Sequence, residues 1–330
     1  MSPNLYKLAY PVVFKHDGIA TILCEKPFAV RRCSPSISEF IFALQQGLQA
    51  EEFLSLCLEP AVARLAAVLQ ERGALSKRRG SANVLVQDSK TWAYLESAVA
   101  SPVESWQAIA SARIAIVGCG GIGSVIAQEL TAMGFGHFVL IDKDTVCESN
   151  LNRQTVFNLQ DIGKEKAAVL ASRLRELRSG IFVQSFNAWI QDQKDLEKLL
   201  VNEINLLVLA ADEPSIDIRK WVTAIAIEKN IPCLFSGVGL VFGGWGPLLT
   251  DDIAKSAYLD RLNCQSNAVD TTKIKIFEGS LCASNHLISS LAAWDIFHFI
   301  AGALAKVKSL NSICSINLGS MAIKAERVCE

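Results

Sequence analysis

The residues best suited to chemistry in this chain of 330 residues gather around one glycine-rich turn. An apolar run, Arg113-Ile114-Ala115-Ile116-Val117, leads into Gly118-Cys119-Gly120-Gly121-Ile122-Gly123 and then directly into a helical pattern. Glycine here lets the backbone turn sharply and approach a phosphate or ribose with no side chain in the way. The helix that follows offers free N–H groups and the positive end of its dipole to an anion. A turn that needs glycine only for packing is the plainer alternative, and the strand–turn–helix context argues against it. A second apolar run ends at Asp142, about two dozen residues after Gly118, where a carboxylate is placed to accept both hydroxyls of a ribose. Bound NAD and bound ATP predict these features equally.

The stretch that follows Asp142 separates the two. It reads Lys143-Asp144-Thr145-Val146-Cys147-Glu148-Ser149-Asn150-Leu151-Asn152-Arg153-Gln154. A dehydrogenase has no reason to place so dense an Asn, Arg and Gln set just past the second strand, whereas an ATP site does. Arg153 can neutralise triphosphate oxygens as charge develops during attack on the α-phosphate, and Asn150 can fix their orientation. Gly163-Lys164-Glu165-Lys166 then opens a helix, which puts Lys166 in a first turn where cation and helix dipole both favour phosphate. Leu206-Leu207-Val208-Leu209-Ala210-Ala211-Asp212 ends a buried strand with a carboxylate. Ligands of parallel sheets sit at the C-terminal ends of strands, so Asp212 faces the same crevice, where its natural role is to hold Mg²⁺ against the phosphates. Taken singly, Asp212 would also suit a helix cap for the segment starting at Pro214, and Lys166 a solvated helix lysine. Their convergence on one crevice favours the chemical reading.

The elements that must position these residues alternate. Strands are readable at 113–117, 138–141, 182–186, 206–210 and 232–236, with helices at 123–133, 164–177, 193–201 and 215–229 between them. Such alternation predicts an α/β fold, a Rossmann-like, mostly parallel sheet with helices on both faces. Residues 240–249 add an edge strand after the parallel core. Residues 1–76 read as a separate small α+β domain. Apolar runs at 5–14 and 19–24 flank Asp17-Gly18 as a hairpin, and a third strand runs over 28–33. Helices follow: one carries Ile37, Phe40, Ile41 and Leu44 behind a Ser36 or Ser38 cap, and two more cover 51–58 and 60–72. This is a winged-helix-like inventory. Residues 77–110 are expected as a linker, with a helix near 92–99, and 111–330 as the nucleotide domain.

Composition excludes other classes. Lys and Arg number 32 against 33 Asp and Glu, a formal charge of −1, so nothing global recruits nucleic acid or an anionic membrane. Residues 1–80 hold ten Lys or Arg and seven Asp or Glu, but the second helix carries Glu51 and Glu52, which phosphates would repel, so DNA is not the expected partner. The most apolar stretch, 287–305, contains Asp295 and His298 and is expected as a buried helix at the core or a subunit interface, with no membrane partner. The opening residues lack a secretion pattern, so the cytoplasm is expected. Ten cysteines are scattered with no CxxC pair; neither a zinc knuckle nor a disulfide framework is expected.

Gly118–Gly123 with Asp142, Ser149-Asn150-Leu151-x-Arg153-Gln154, Lys166 and Ala211-Asp212 followed by Arg219 resemble the ThiF, MoeB and ubiquitin-activating superfamily. The resemblance covers residues 111–245 well and 283–302 more loosely. It implies an enzyme that forms an acyl-adenylate from ATP, Mg²⁺ and a carboxylate. In it Asp142 binds ribose, Asn150, Arg153 and Lys166 handle phosphates, and Asp212 binds Mg²⁺. It also implies a homodimer or pseudodimer. Three departures stand out. Cys264 has no near zinc-ligand partner. No Arg-Tyr-x-Arg-Gln element precedes the glycine loop, and Arg78 or Arg79 is set against a plain charged linker as its substitute. A folded unit precedes the adenylation domain, and it resembles the precursor-peptide recognition domains of the MccB and PaaA types, which modify ribosomally made peptides. Such a unit would capture an extended leader at a sheet edge beside 28–33.

The expected function is adenylation of a peptide carboxylate, terminal or on a Glu or Asp side chain, in peptide natural-product (antibiotic) maturation, with nucleophilic capture, dehydration or cyclisation to follow. The alternatives are an adenylyltransferase for a sulfur-carrier or ubiquitin-like protein, an NAD-dependent oxidoreductase and a non-catalytic peptide-binding scaffold. The oxidoreductase lacks an obvious proton-transfer residue among His16, His137, His286 and His298. Cys264 and Cys282 are equally explained as loop or core thiols, and neither is assigned a catalytic role.

Overall fold

The computed structural model describes residues 4–8, 12–14, 19–23, 27–31, 33–79, 85–200, 203–268 and 279–329. The chain divides into two compact units, Met1–Ser105 and Trp106–Glu330. In the first, the order is β1 (Asn4–Leu8), β2 (Val12–Phe14), β3 (Ala20–Ile22), β4 (Phe28–Val30), α1 (Pro35–Gln46), β5 (Leu48–Gln49), α2 (Ala50–Leu56), α3 (Pro60–Glu71), β6 (Leu75–Arg79) and α4 (Ser89–Ala98). Helix α5 (Pro102–Ser111) runs across the division.

The first unit builds its core from helical periodicity. Phe40, Ile41 and Leu44 of α1 and Val62, Leu65 and Leu69 of α3 are buried together with Ala20 and Ile22, and Tyr6 stacks on Phe53 with ring centroids 3.9 Å apart. The cap of α1 is Ser34, whose hydroxyl accepts from Ile37 N at 3.3 Å, and not Ser36 or Ser38. Pro35, lacking an N–H, takes the first helical position and moves the start two residues forward of the reading from apolar spacing. The run 5–14, read as one strand, is two: β1 pairs with β5 and β6, while β2 pairs with β3 in a separate three-stranded sheet. Residues 77–79, read as solvated linker, continue β6 against β1; backbone pairing there outweighs the polar side-chain pattern. Asp17 and Gly18 of the expected hairpin turn, and Gly80 and Ser81 of the expected linker, lie outside the described residues.

The second unit runs β7 (Arg113–Val117), α6 (Gly123–Ala132), β8 (His137–Asp142), α7 (Lys166–Leu177), β9 (Phe182–Asn187), α8 (Gln193–Leu199), β10 (Leu206–Leu209), α9 (Ser215–Glu228), β11 (Cys233–Val238), β12 (Phe242–Leu249), α10 (Asp252–Ala268), α11 (Cys282–Ile300), β13 (Ser312–Asn317) and β14 (Ile323–Arg327). Its eight strands lie in the order β14-β13-β12-β11-β10-β7-β8-β9. The five from β9 to β11 are parallel, and the rest continue antiparallel. Residues 242–249 are therefore not an edge: β13 and β14 extend the sheet beyond them. Helices α8, α9 and α10 cover one face through Leu196, Val222 and Tyr258 against Ala115, Val139 and Leu207. Helices α6, α7 and α11 form the opposite layer. The chain winds from β7 outward to β9, then crosses back to place β10 on the other side of β7. That reversal opens a crevice at the C-terminal end of β7, where open α/β sheets bind ligands.

Helix α11 is the apolar segment of the sequence, and no helix among the described residues is long and apolar enough to cross a membrane. Its one acid is buried and fully engaged. Asp295 accepts from Trp245 Nε1 at 3.1 Å, Lys308 N at 3.0 Å and Ser309 N at 2.8 Å. Asp295→Ala leaves three donors without this acceptor, two of them, Trp245 Nε1 and Ser309 N, buried. The expected loss is about 3 kcal/mol or more of unfolding free energy, read from urea denaturation.

Candidate active site

The glycine loop is the centre on which the crevice is built. Gly118 has φ +94°, and a Cβ there would stand 2.6 Å from Ala211 N and 2.8 Å from Ala210 O. Only glycine lets β7 turn against the end of β10 at that distance. A Cβ on Gly123 would strike the carbonyl oxygen of Gly118, and one on Gly121 would stand 2.5 Å from Asn285 Oδ1. Gly120 has more room, its nearest neighbour being Gln154 Nε2 at 3.5 Å from a Cβ position.

Asp142 ends β8 beside this loop. Its Oδ2 accepts from Cys119 N at 2.6 Å and its Oδ1 from Asp144 N at 2.8 Å. Burial raises the Asp142 pKa, and the two backbone donors and the Lys166 charge pull against that rise. The neighbouring Cys119 thiol is fully buried, and burial pushes it well above the ordinary thiol range; it acts as packing and as a backbone donor, not as a nucleophile.

Lys166 opens α7 as expected, but it is buried, with its ammonium 2.8 Å from Asp144 Oδ2. It is not a solvated helix lysine. Its partner Asp144 donates through its backbone N to Asp142, the carboxylate that also accepts from Cys119 N of the glycine loop. Asn150 does not project freely: its Oδ1 accepts from Cys147 N at 3.1 Å and closes a short turn. That turn carries Arg153, whose guanidinium donates to Ser149 O at 2.8 Å and Asn152 Oδ1 at 3.0 Å. Among the described residues no carboxylate lies within ion-pair distance of Arg153, so its charge remains available to an anion. The carbonyl oxygen of Arg153 would lie 3.4 Å from a Cβ on Gly121, so the turn abuts the loop.

Asp212 follows β10, is exposed, and has no hydrogen-bond or ion-pair partner among the described residues. It caps nothing: the cap position of α9 is Pro214, and no side chain caps that helix. A free carboxylate at a strand end suits Mg²⁺, which is held by one or two carboxylates together with substrate phosphates and water. No group of three or more His, Cys, Asp or Glu side chains placed to hold a metal occurs among the described residues. Arg219, on α9, reaches Tyr258 Oη at 3.5 Å.

Two contributors carried no assigned role from sequence. Gln154 is buried, stands beside Gly120, and its Oε1 has no partner; its place in the Asn-Arg-Gln stretch was the available signal. Asn285 of α11 stands against Gly121, donates to Ser280 Oγ and to Leu281 O, both at 2.7 Å, and lies one turn before Ser289, which donates to Ile122 O at 3.1 Å. Nothing local in the sequence marks a residue 164 positions away as a neighbour of the loop. Cys264 is exposed near the end of α10, and Cys282 begins α11. Arg78 and Arg79 lie in β6 of the other unit. Part of the segment 246–285, read as substrate-facing, falls outside the described residues.

A family model described as the ThiF family matches residues 95–330. The catalytic subunit of the NEDD8-activating enzyme E1 of Arabidopsis thaliana is 37% identical over 114 residues, 34% of this chain and 24% of that protein. The chain thus spans about a quarter of the length of that relative. Molybdopterin-synthase adenylyltransferase of Escherichia coli is 27% identical over 197 residues, 59% of this chain and 76% of that protein. The fold is that of E. coli MccB solved with ATP, with a TM-score of 0.79 at 22% identity over 98% of this chain and 97% of that one. With the glycine loop, the carboxylate at the end of β8 and the family model agreeing over the nucleotide unit, the chain belongs to the ThiF family.

Proposed function

We propose that the chain is an ATP-dependent adenylating enzyme whose substrate is a carboxylate of a ribosomally made peptide. The observation that carries the reading is the charge arrangement around the glycine loop. Asp142 is half-buried and tied to loop backbone, and among the described residues Arg153 has no acidic partner and Asp212 is an exposed carboxylate with no partner. A ribose, a polyphosphate and a hydrated cation, in that order, would satisfy the three. Asp142 binds the ribose hydroxyls. Gly118, Gly120, Gly121 and Gly123 bring backbone against the phosphates, with Asn150 holding the turn that aims Arg153. Lys166 supplies a second cation, and Gln154 a buried acceptor. Asp212, with the phosphates, would hold Mg²⁺, which would screen their negative charge.

The reaction then needs little from the protein beyond orientation and charge. A carboxylate oxygen of the substrate attacks the α-phosphorus, the bond to the β-phosphate bridging oxygen breaks, and pyrophosphate leaves with that electron pair. Arg153 and Lys166 stabilise the charge that grows on the departing oxygens. The acyl-adenylate is left ready for a nucleophile.

For the substrate, the first unit supports a peptide. Its strands β4 and β2 are the outer strands of one small sheet, and β5 and β6 of another. Such an edge can take an added strand, and we assign the leader to the edge of β4, whose pairing ends at Val30. The likeness to MccB extends over this unit, and MccB has itself been solved with AMPCPP and MccA. The division into a peptide-recognition unit and an adenylation unit, the homodimer and a cytoplasmic location belong to the same reading. A carrier protein is the second reading, supported by the similarity to molybdopterin-synthase adenylyltransferase.

Pyrophosphate release from ATP·Mg is expected to depend on a peptide encoded beside this gene. Release that responds instead to a carrier ending in Gly-Gly would select the second reading. Asp212→Ala is expected to lower the rate roughly 100-fold or more with the fold intact by circular dichroism. Arg153→Ala should lower kcat about 100-fold while ATP affinity falls less than tenfold, because its charge meets the transition state more strongly than the ground state. Acid will also discriminate. Burial makes Asp142 take up its proton at a higher pH than an ordinary aspartate, and the protonated form loses its acceptor strength for ribose. ATP affinity should therefore begin to fall on acidification above the usual aspartate range, and equilibrium binding to Asp142→Asn should be weaker and lack that acid limb.

A further inference from the structure

One half-buried cation near the crevice has no role among the residues just assigned. Arg219, in the second turn of α9, is held by a single neutral contact, its guanidinium donating to Tyr258 Oη of α10 at 3.5 Å. Among the described residues no carboxylate lies within ion-pair distance of it. Tyr258 is 3% exposed and accepts in that bond, so its own O–H hydrogen has no acceptor among the described residues. The neighbouring Arg261 differs, since it pairs with Glu326 at 2.8 Å.

The pair stands at the ligand-binding end of the sheet. A Cβ built on Gly237, near the end of β11, would meet nothing nearer than Arg219 Nη2, at 3.9 Å, so glycine leaves a gap beside the guanidinium. Leu209 pairs with Phe235, and Gly237 lies two residues past Phe235 as Ala211 lies two past Leu209. Gly118 meets Ala211 from the other side, since β10 lies between β7 and β11. The cation therefore flanks the end of β10 opposite to the glycine loop. Stability gives little reason for it: partly burying a charge against a phenol alone is unfavourable, and an uncharged side chain would pack on Tyr258 as well. The chemistry gives one. A carboxylate that approaches a polyphosphate is repelled by it, and Arg153, Lys166 and a cation at Asp212 are taken up by the phosphates. With Asp142 holding the ribose, the nucleotide occupies the side of β7 and β8, which leaves the side of β10 and β11 for the acyl group.

We infer that Arg219 and Tyr258 clamp the reacting carboxylate of the acyl substrate: the planar guanidinium donates to its two oxygens, and the Tyr258 O–H donates to one of them. This rests on the reading of the crevice as an adenylating site. The clamp offsets the repulsion between carboxylate and triphosphate and turns one oxygen toward the α-phosphorus. Burial raises the Tyr258 pKa, so the phenol keeps its proton and remains a donor at neutral pH. Donors of this kind fit a planar anion and leave a carboxamide in the same place without its charge, so the clamp selects for the acid.

Two measurements on the full chain and its R219Q, R219K and Y258F variants test the clamp: pyrophosphate release from ATP·Mg with the peptide encoded beside this gene, and equilibrium dialysis of ATP·Mg alone. A hydrogen bond to a charged group corresponds to roughly tenfold in affinity or more, so R219Q should raise the KM for the peptide roughly tenfold to a hundredfold, with ATP affinity within about twofold of the parent. R219K, which keeps the charge but not the planar fork, should recover part of that loss. Y258F should raise the same KM several-fold while its ring keeps its place against Phe235. An Arg219 that served packing alone would instead lower the melting temperature and weaken ATP and peptide together. An unchanged peptide KM in R219Q, or equal losses for ATP and peptide, overturns the clamp and leaves the adenylating reading standing. A parent chain that releases no pyrophosphate with the peptide overturns the peptide reading and the clamp with it.

Discussion

The second unit is organised by one close approach, that of the Gly118 backbone to the backbone of Ala210 and Ala211. A side chain at 118 would overlap main-chain atoms, which cannot rotate away, so β7 and β10 can end side by side only with glycine at this point. The approach aligns Gly118 N with Ile141 O at 2.8 Å and Ala210 N with Val117 O at 2.8 Å. Three strand ends are thereby brought level. The crevice between β8 and β10 follows from strand order, but its floor follows from this contact. Gly123 continues the same logic one turn later, since α6 can start only if its first residue clears the carbonyl of Gly118.

Electrostatics then divides the floor into an anionic and a cationic side. Partly burying the Asp142 carboxylate is unfavourable, and two backbone N–H groups offset that by donating to it. Those donors belong to the glycine loop and to the turn after β8, so the same bonds that stabilise Asp142 lock the loop. Lys166 is buried, and its bond to Asp144 keeps a cation at the loop where solvent alone would not. Arg153 differs, held only by neutral acceptors. The geometry of its turn is prepared, whereas its charge is left uncompensated until an anion arrives. Preorganised charge of this kind requires little reorganisation when charge develops on a substrate.

Features that depend on short-range pattern were legible in the sequence. Apolar runs of four to six residues ending at glycine or aspartate gave β7, β8 and β10 within a residue or two, and the Asn-Arg-Gln stretch marked the short turn that carries Arg153. What failed was long-range. Strand β14 is exposed on both faces and α10 has no sharp apolar stripe, while β13 alternates in burial but turns Ser312 and Cys314 inward and Ile313 to the other face, so hydropathy marks none of the three. The run 5–14 looked continuous because hydropathy does not report that β1 and β2 join different sheets. Asn285 was invisible for the same reason. Its neighbour Gly121 is set by tertiary packing, and a polar residue inside an apolar helix carries no address.

Helix α11 shows why that packing matters to the crevice. Its first half touches the loop through Asn285 and Ser289, and Ile288 fills the space that glycine leaves at position 243 of β12. Its second half anchors through Asp295 to Trp245 of β12 and to the backbone just before β13. One rigid element therefore joins the glycine loop to the antiparallel end of the sheet, which the parallel ladder reaches only through β10 and β11. An apolar helix with two polar faces at its ends is what that bridge requires. Burial supplies the adhesion, and the few buried polar groups fix its rotation, since a turn of the helix about its axis would leave Asp295 and Ser289 without partners in the dry interior. The position of the glycine loop is thus set from two sides, by Asp142 beneath it and by α11 against it.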